Sequence, residues 1–352
     1  MKKCEYDVPG KIWMTEKKMN MLMIIPDDIP IGVIESQMMG LYSFYSKDYF
    51  VELAIPSIYK QDFSLNDENI SFYSSYDDLK VMTKRKDIVY FRSVINFIHL
   101  VLFCKKCKVR MLYDYRGLAS FETFSKDRKL LKFLALYLAE YLVYLFADEL
   151  QCVSKNMNKY LQKIYGAKRI RVIPCLAQSN TLRDGTVNNP IRFVYIGGIS
   201  EWQNIKMIIS TAELIQEHIN SEFTFITSNP AAIKEMLEKS HLNNAKVLSG
   251  DNEFVLRSLQ NQDYGFLFRD DTIFNKIASP IKFLEYTSNG VIPIVTPFVG
   301  DYSKEVTLYD IGIVYNNNSS VLINELKSIS KKIEYYRERL YRYSEKYTWD
   351  AY

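Results

Sequence analysis

Residues 265–268 and 291–295 are two short apolar runs, each bounded by turn residues and separated by one helix-length segment. Runs this short and this apolar read as strands buried on both faces, which is the habit of a parallel sheet. Parallel neighbours need a crossover, and the segment between them supplies one. Ser279-Pro280 opens a helix where the missing proline N–H costs nothing, and Asn289-Gly290 closes it. Lys282 and Glu285 stand three apart, so they share one face of that helix near its start. Arg269 follows the first strand directly. Ligands of open α/β sheets bind beyond the carboxyl ends of strands, where helix N-termini favour anions. A cation at a strand end, a second in the first helical turn and a carboxylate one turn deeper suit a phosphorylated ribose.

The same alternation fills the rest of the chain. Residues 19–25 read as a strand running into Pro26-Asp27-Asp28-Ile29-Pro30-Ile31-Gly32, a loop too proline-rich to be helical. A helix over about 33–45 and a strand over 50–55 follow, and residues 56–86 read as polar and irregular. A strand over 88–91 ends in Arg92-Ser93, and an apolar helix covers 94–103. A strand over 109–113 then leaves Asp114 and Arg116 beyond its end. Residues 127–147 form a long helix that is apolar on most sides, a pattern that favours burial. The alternative is contact with a membrane, with Lys126, Arg128, Lys129 and Lys132 at the entrance. A strand over 150–153, a helix capped by Ser154 and a strand over 171–173 complete the first half. A polar stretch over 176–190 ends in Asn188-Asn189-Pro190 and reads as a linker. Beyond it come a strand over 192–196, the loop Gly197-Gly198-Ile199-Ser200, a helix over 204–218 and strands over 223–227 and 246–248. The glycines there let backbone N–H groups come close to a phosphate. A strand over 312–315 and a helix over 321–343 follow. Two domains are expected, 1–180 and 181–335, with a tail over 336–352.

Charge is uneven. Residues 1–180 carry a balance of +7 and residues 181–352 one of −3, within a net charge of +4. Basic clusters at 84–86, 105–110 and 168–171 suit anionic lipid head groups or phosphorylated acceptors, or are solvated surface. No nucleic-acid motif is present, so nucleic acid is not an expected partner. Met1-Lys2-Lys3 begins like an export signal, but Glu5 and Asp7 come at once and no apolar segment follows. Five cysteines, an odd number, fit reduced thiols. The expectation is a cytoplasmic protein, at most peripheral on the inner face of a membrane. Cys104 and Cys107 form a single CxxC, short of the four ligands of a structural zinc site.

The stretch LFRDDTIFNKIASPIKFLEYTSNGVIPIV resembles the donor-nucleotide segment of family-4-type retaining glycosyltransferases, at Arg269, Ser279, Pro280, Lys282, Phe283, Glu285, Tyr286, Gly290 and Pro293, and further on at Gly300-Asp301. IGVIESQMMGL is similar to the cleft loop of that family at Gly32, Glu35, Ser36 and Gln37. YDYRGLASFE resembles its Asp-x-His-Gly or Asp-x-Arg-Gly segment, and FVYIGGISEWQNIKMII its phosphate loop, with Gln203 or Lys206 near the place of a basic residue. The resemblance implies an α/β fold of the GT-B kind, two Rossmann-like domains facing a cleft. It implies Glu285 on the donor ribose, with Arg269 and Lys282 on the diphosphate. Gly197, Gly198, Gln203, Ser279, Pro280 and Phe283 would be further donor contacts, and Gly32, Glu35, Gln37 and Arg92 the acceptor side. It also implies retention of configuration, a role in bacterial surface polysaccharide and a tail that crosses back onto the first domain. One position departs from the pattern: Ile277 stands where many members carry a second glutamate. Asp114 and Arg116 would be catalytic with Arg269 and Lys282; Arg116 cannot act as a base, so any role for it is electrostatic, and a structural salt bridge is the alternative.

The expected reaction moves a sugar from a nucleoside-diphosphate sugar to a hydroxyl of a carbohydrate or lipid-linked acceptor. No Asp-x-Asp occurs and no resident cofactor or metal is expected, so Arg269, Lys282 and the glycine amides would meet the charge of the leaving diphosphate. His99, His218 and His241 fall away from the expected cleft, and no nucleophile–base pair is credible. A nucleotide-sugar epimerase and a non-catalytic sugar binder remain as alternatives. The first would need acid–base groups in the cleft. An anionic membrane surface is a further expected partner.

Overall fold

The structure is a computed structural model that describes residues 18–61 and 68–352. The polar leader expected over residues 1–18 lies outside the described residues, apart from Lys18. Thirteen described strands form two sheets. The first contains β1 (Asn20–Ile24), β2 (Phe50–Pro56), β3 (Ile70–Tyr73), β4 (Ile88–Phe91), β5 (Arg110–Tyr115), β6 (Glu149–Cys152) and β7 (Ile170–Val172), in the order β3-β2-β1-β4-β5-β6-β7. The second contains β8 (Ile191–Ile196), β9 (Ser221–Ile226), β10 (Ala245–Leu248), β11 (Tyr264–Leu267), β12 (Ile292–Val295) and β13 (Ile313–Val314), in the order β10-β9-β8-β11-β12-β13. Every named pair is parallel, and the central strands β4, β11 and β12 are buried along their whole length.

Local sequence explains several elements that the apolar pattern alone misses. Residues 56–86, of which 62–67 lie outside the described residues, are not irregular throughout. They hold β3 and the helix Tyr76–Thr83, which starts in a reciprocal cap between Ser75 and Asp78. The helix after β1 is not uniform either: it opens as Ile31–Val33, passes through a π-turn at Ile34–Met38 and continues as Met39–Ser46. The expected helix over 127–147 starts later, as Leu130–Phe146, because Arg128 adopts φ 52° and ends a separate helix, Ala119–Asp127. Nor is it buried. Leu136, Glu140, Val143 and Tyr144 face inward, while Leu130, Leu131, Leu134, Leu138, Tyr141 and Leu145 are exposed.

The two sheets are clamped together at several points. Asp301, beside the second sheet, accepts from the backbone N–H of Lys155 (2.6 Å) and Asn156 (3.1 Å) at the start of the first-sheet helix Lys155–Tyr165. A carboxylate there complements the positive end of the helix. Ile277 packs into the core beneath the first sheet, and its carbonyl accepts from Ser154 Oγ at 2.5 Å. The last helix, Ile333–Ser344, packs against Ile281–Ser288 beside the second sheet. The residues after it reach the first sheet: Thr348 bridges Ala177, Trp349 Nε1 donates to Ser36 O (3.3 Å), and Tyr352 OH donates to Val172 O (2.8 Å). No described helix is long and apolar enough to cross a membrane.

Candidate functional site

Each sheet reverses its strand order once, between β1 and β4 in the first and between β8 and β11 in the second. The loops leaving such strands diverge and open a crevice at their carboxyl ends. Gly197 and Gly198 follow β8, and Arg269 follows β11 by two residues. Tyr286, on the helix Ile281–Ser288, fills the widening gap between these strands. Its hydroxyl accepts from Ile196 N and donates to Phe266 O, both at 3.1 Å. A Cβ at Gly265 would come within 2.7 Å of the Tyr286 ring, which is why β11 carries glycine there.

Arg269 is held from both sides by Thr296, whose hydroxyl accepts from Arg269 N (2.8 Å) and donates to Arg269 O (2.7 Å). Its side chain donates to Phe268 O (2.9 Å), and the residue is only 8% exposed. The adjacent Asp270 carboxylate takes Asn204 Nδ2 (2.6 Å) and forms no ion pair with Arg269. Burial pushes the Arg269 guanidinium below its ordinary range. Burial also lowers Lys282, and the positive field of Arg269 adds to that shift, with Glu285 opposing it. Burial raises the Glu285 carboxyl, and Lys282 counteracts. Neither cation forms an ion pair with a carboxylate among the described residues. A buried guanidinium and a half-buried ammonium that feel each other's charge are costly, and a bound anion would relieve the cost.

Not every sequence-derived residue faces this crevice. Phe283 is fully buried and stacks on Tyr302 with centroids 4.2 Å apart, so it supports the helix from the core and does not line the cleft. Ser279 is buried and bonded to Tyr302 OH (2.8 Å), and Pro280 sits at the N-cap of the helix. The Gly197 amide belongs to the sheet, donating to Ile226 O (3.0 Å), and so is not available to a phosphate. A Cβ at Gly197 would meet Gln203 Oε1 and Tyr195 OH, each 2.4 Å away. Gln203 Oε1 accepts from Tyr195 OH (2.5 Å), and the same hydroxyl lies 2.6 Å from Gly198 O, so Tyr195 pins the loop. Tyr195, Thr296 and Asn204 carry no pattern that singles them out in sequence.

On the first sheet, Asp114 lies within β5 rather than beyond its end, and it is fully buried. It accepts from Tyr90 OH and from Arg116 Nε, the latter at 2.5 Å, and so anchors Arg116 without reaching the cleft. Gln37 is 4% exposed and exchanges bonds with the backbone of Leu176 (3.1 and 3.3 Å), yet it lines, with Ser36 and Glu285, a crevice between the sheets. Glu35 is exposed, and Gly32 lies in the opening turn of its helix with open space around it. Arg92 approaches Met38 Sδ (3.1 Å) and lines, with Arg116, Gly117, Glu122, Lys126 and Asp28, a cavity of about 490 Å³. Arg269 opens on a second cavity, about 320 Å³, with Asn204, Asp270, Thr296 and Tyr315. Glu285 opens on a narrow crevice between the sheets beside Ser36, Asn252 and Leu256. Arg269 and Glu285 thus border different spaces around one helix.

No family model matches the chain, and no curated protein matches it. Solved structures do. The Anabaena protein HepE in complex with UDP-glucose superposes with a TM-score of 0.71, at 12% identity over 94% of this chain and 96% of that one. An alpha-glucosyltransferase in complex with UDP and a 13-mer DNA gives 0.65, at 16% identity over 95% and 96%. Sucrose-phosphate synthase from Thermosynechococcus elongatus gives 0.66, at 11% identity over 95% and 96%. The fold is GT-B. Two parallel sheets of seven and six strands, with crevices at their order reversals, are this chain's version of it. A GT-B neighbour that holds DNA removes the ground for excluding nucleic acid as a partner, since that exclusion rested on missing motifs alone.

Proposed function

We propose that the protein is a glycosyltransferase that moves a sugar from a nucleoside-diphosphate sugar to an acceptor hydroxyl. The observation that carries this reading is a pair of cations at the strand-order reversal of the second sheet: Arg269, 8% exposed and two residues beyond β11, and half-buried Lys282 in the first turn of the following helix, neither in an ion pair among the described residues. A donor that spans both spaces puts its diphosphate on the cations, beside the Arg269 cavity, and its ribose hydroxyls on Glu285, one turn along the helix at the crevice between the sheets. As the sugar leaves, negative charge grows on the diphosphate, and the two cations stabilise it where it forms. The UDP and UDP-glucose complexes of the GT-B neighbours support a uridine donor. The resemblance of residues 267–295 to family-4-type enzymes supports retention of configuration and an acceptor in surface polysaccharide. The first-sheet cavity, lined by Arg92, Arg116 and Lys126, is the acceptor side.

The absence of Asp-x-Asp and the presence of two cations at the leaving group support metal-independent transfer. Incubation of the full chain with UDP-sugars, with and without excess EDTA, tests both points. Release of UDP that survives EDTA is expected. Loss of activity restored by Mn²⁺ or Mg²⁺ would reject the metal-free mechanism, an isomerised donor would point to an epimerase, and donor binding with no product to a sugar binder.

A further inference from the structure

The helix Leu130–Phe146 shows an apolar face to solvent. Projected at about 100° per residue, Leu130, Tyr141, Leu134, Leu145, Leu138 and Leu131 fall on one continuous arc about 100° wide, with no charged residue within it. These six side chains are between 37% and 83% exposed. The opposite arc, with Leu136, Val143 and Tyr144, is buried against the first sheet. On the neighbouring helix Val94–Cys107, Leu102 is 56% exposed. A monomer seldom leaves so continuous an apolar strip in water.

Basic side chains stand at both ends of this strip. Arg128, Lys129 and Lys132 lie at its start, where Asp127 pairs only with Lys132 (2.8 Å). At its end Lys106 on the helix beside it and Lys108 at that helix's C-cap are exposed, and Asp148 pairs with Lys105 (3.7 Å). The half of the chain that bears the strip carries the +7 balance. A second copy of the chain would bring these like charges face to face. An anionic bilayer complements them and takes the leucines between them.

We propose that the outer face of Leu130–Phe146 docks on an anionic lipid surface. The helix, about 25 Å long, would lie along the membrane plane with its leucines below the head groups and its basic ends among them. Lys126, just before the helix, lines the first-sheet cavity, so docking brings the mouth of that cavity to the lipid surface.

Flotation of the full chain with phosphatidylcholine vesicles, with and without phosphatidylglycerol, tests this without any donor. Its outcome is therefore separate from the question of sugar transfer. Binding should require phosphatidylglycerol and weaken as salt rises. Leu131→Asp with Leu138→Asp should lower partitioning on the order of 100-fold, and Arg128→Glu with Lys129→Glu at least about 10-fold. All four side chains are exposed, so the variants should melt like wild type. Equal binding to both vesicle types, or undiminished binding by the leucine variant, would overturn the proposal. So would concentration-dependent self-association that the leucine variant abolishes, with no vesicle binding, because the face would then be a contact between copies.

Discussion

Arg269 and Glu285 face different parts of a donor in the proposed arrangement, and they should fail differently. Charge on the diphosphate grows as the sugar leaves, so Arg269 acts most strongly in the transition state. The ribose does not change, so Glu285 contributes uniform binding. Arg269→Ala should lower kcat by roughly 10²–10³-fold, whereas Glu285→Gln should chiefly raise the donor KM. Steady-state kinetics beside a melting curve for each variant decide. Normal melting with wild-type turnover in both would make the helix Ile281–Ser288 structural only. Glu140 yields a second test. It is buried, and its carboxylate takes Ser120 N (3.1 Å) and Ser120 Oγ (2.6 Å), yet burial still raises it from 4.5 to about 7. A raised carboxyl favours the protonated form in the folded state. Its contribution is therefore fully present below about pH 4.5 and lost as pH rises to about 7, on the order of 3 kcal/mol. Glu140→Gln should flatten stability across that window and be the more stable form above it. Denaturation curves that run parallel for both proteins from pH 4.5 to 7 would contradict this. Residue-level roles were the least legible part of the sequence. Nothing in the string distinguishes Phe283, which turns into the core under Tyr302, from Lys282 beside it, which does not. Asp114 likewise looked available because its full burial and its bond from Tyr90 OH are set by tertiary packing.

The tail after the last helix ties the two sheets together through Trp349, whose indole lies over Gly40. A Cβ at Gly40 would come within 2.1 Å of that ring. Alanine normally stabilises a helix relative to glycine, by roughly 0.5–1 kcal/mol. Gly40→Ala should therefore destabilise the wild type but stabilise the Trp349→Ala variant. That reversal of sign, read from chemical denaturation of the four proteins, tests the contact. The same effect of Gly40→Ala in both backgrounds would mean that the indole does not rest there. At this scale the sequence was a good guide wherever an apolar run was flanked by glycine or proline. Both β11 and β12, and the helix between them, lie within a residue or two of where the pattern puts them. It failed where hydrophobicity was low, as for β3 and Tyr76–Thr83, although the Ser75-x-x-Asp78 cap was readable. It also misled for Leu130–Phe146, because an apolar helix predicts burial but not what buries it.

For the whole molecule, the paired strand-order reversals set two crevices toward each other, and the clamps at Asp301, Ile277 and Trp349 hold them there. Sequence could show two α/β halves. The strand order that creates the crevices comes from long-range pairing such as β1 with β4 and β8 with β11, which no local pattern encodes. The central claim is that Arg269 and Lys282 hold the donor diphosphate. Isothermal titration calorimetry of UDP against uridine, with wild type, Arg269→Ala and Lys282→Ala, tests it most directly. UDP should bind much more tightly than uridine, and each variant should lose about 10–100-fold in UDP affinity while leaving uridine nearly unchanged. Equal UDP affinity in wild type and both folded variants, or no difference between UDP and uridine, would contradict the claim.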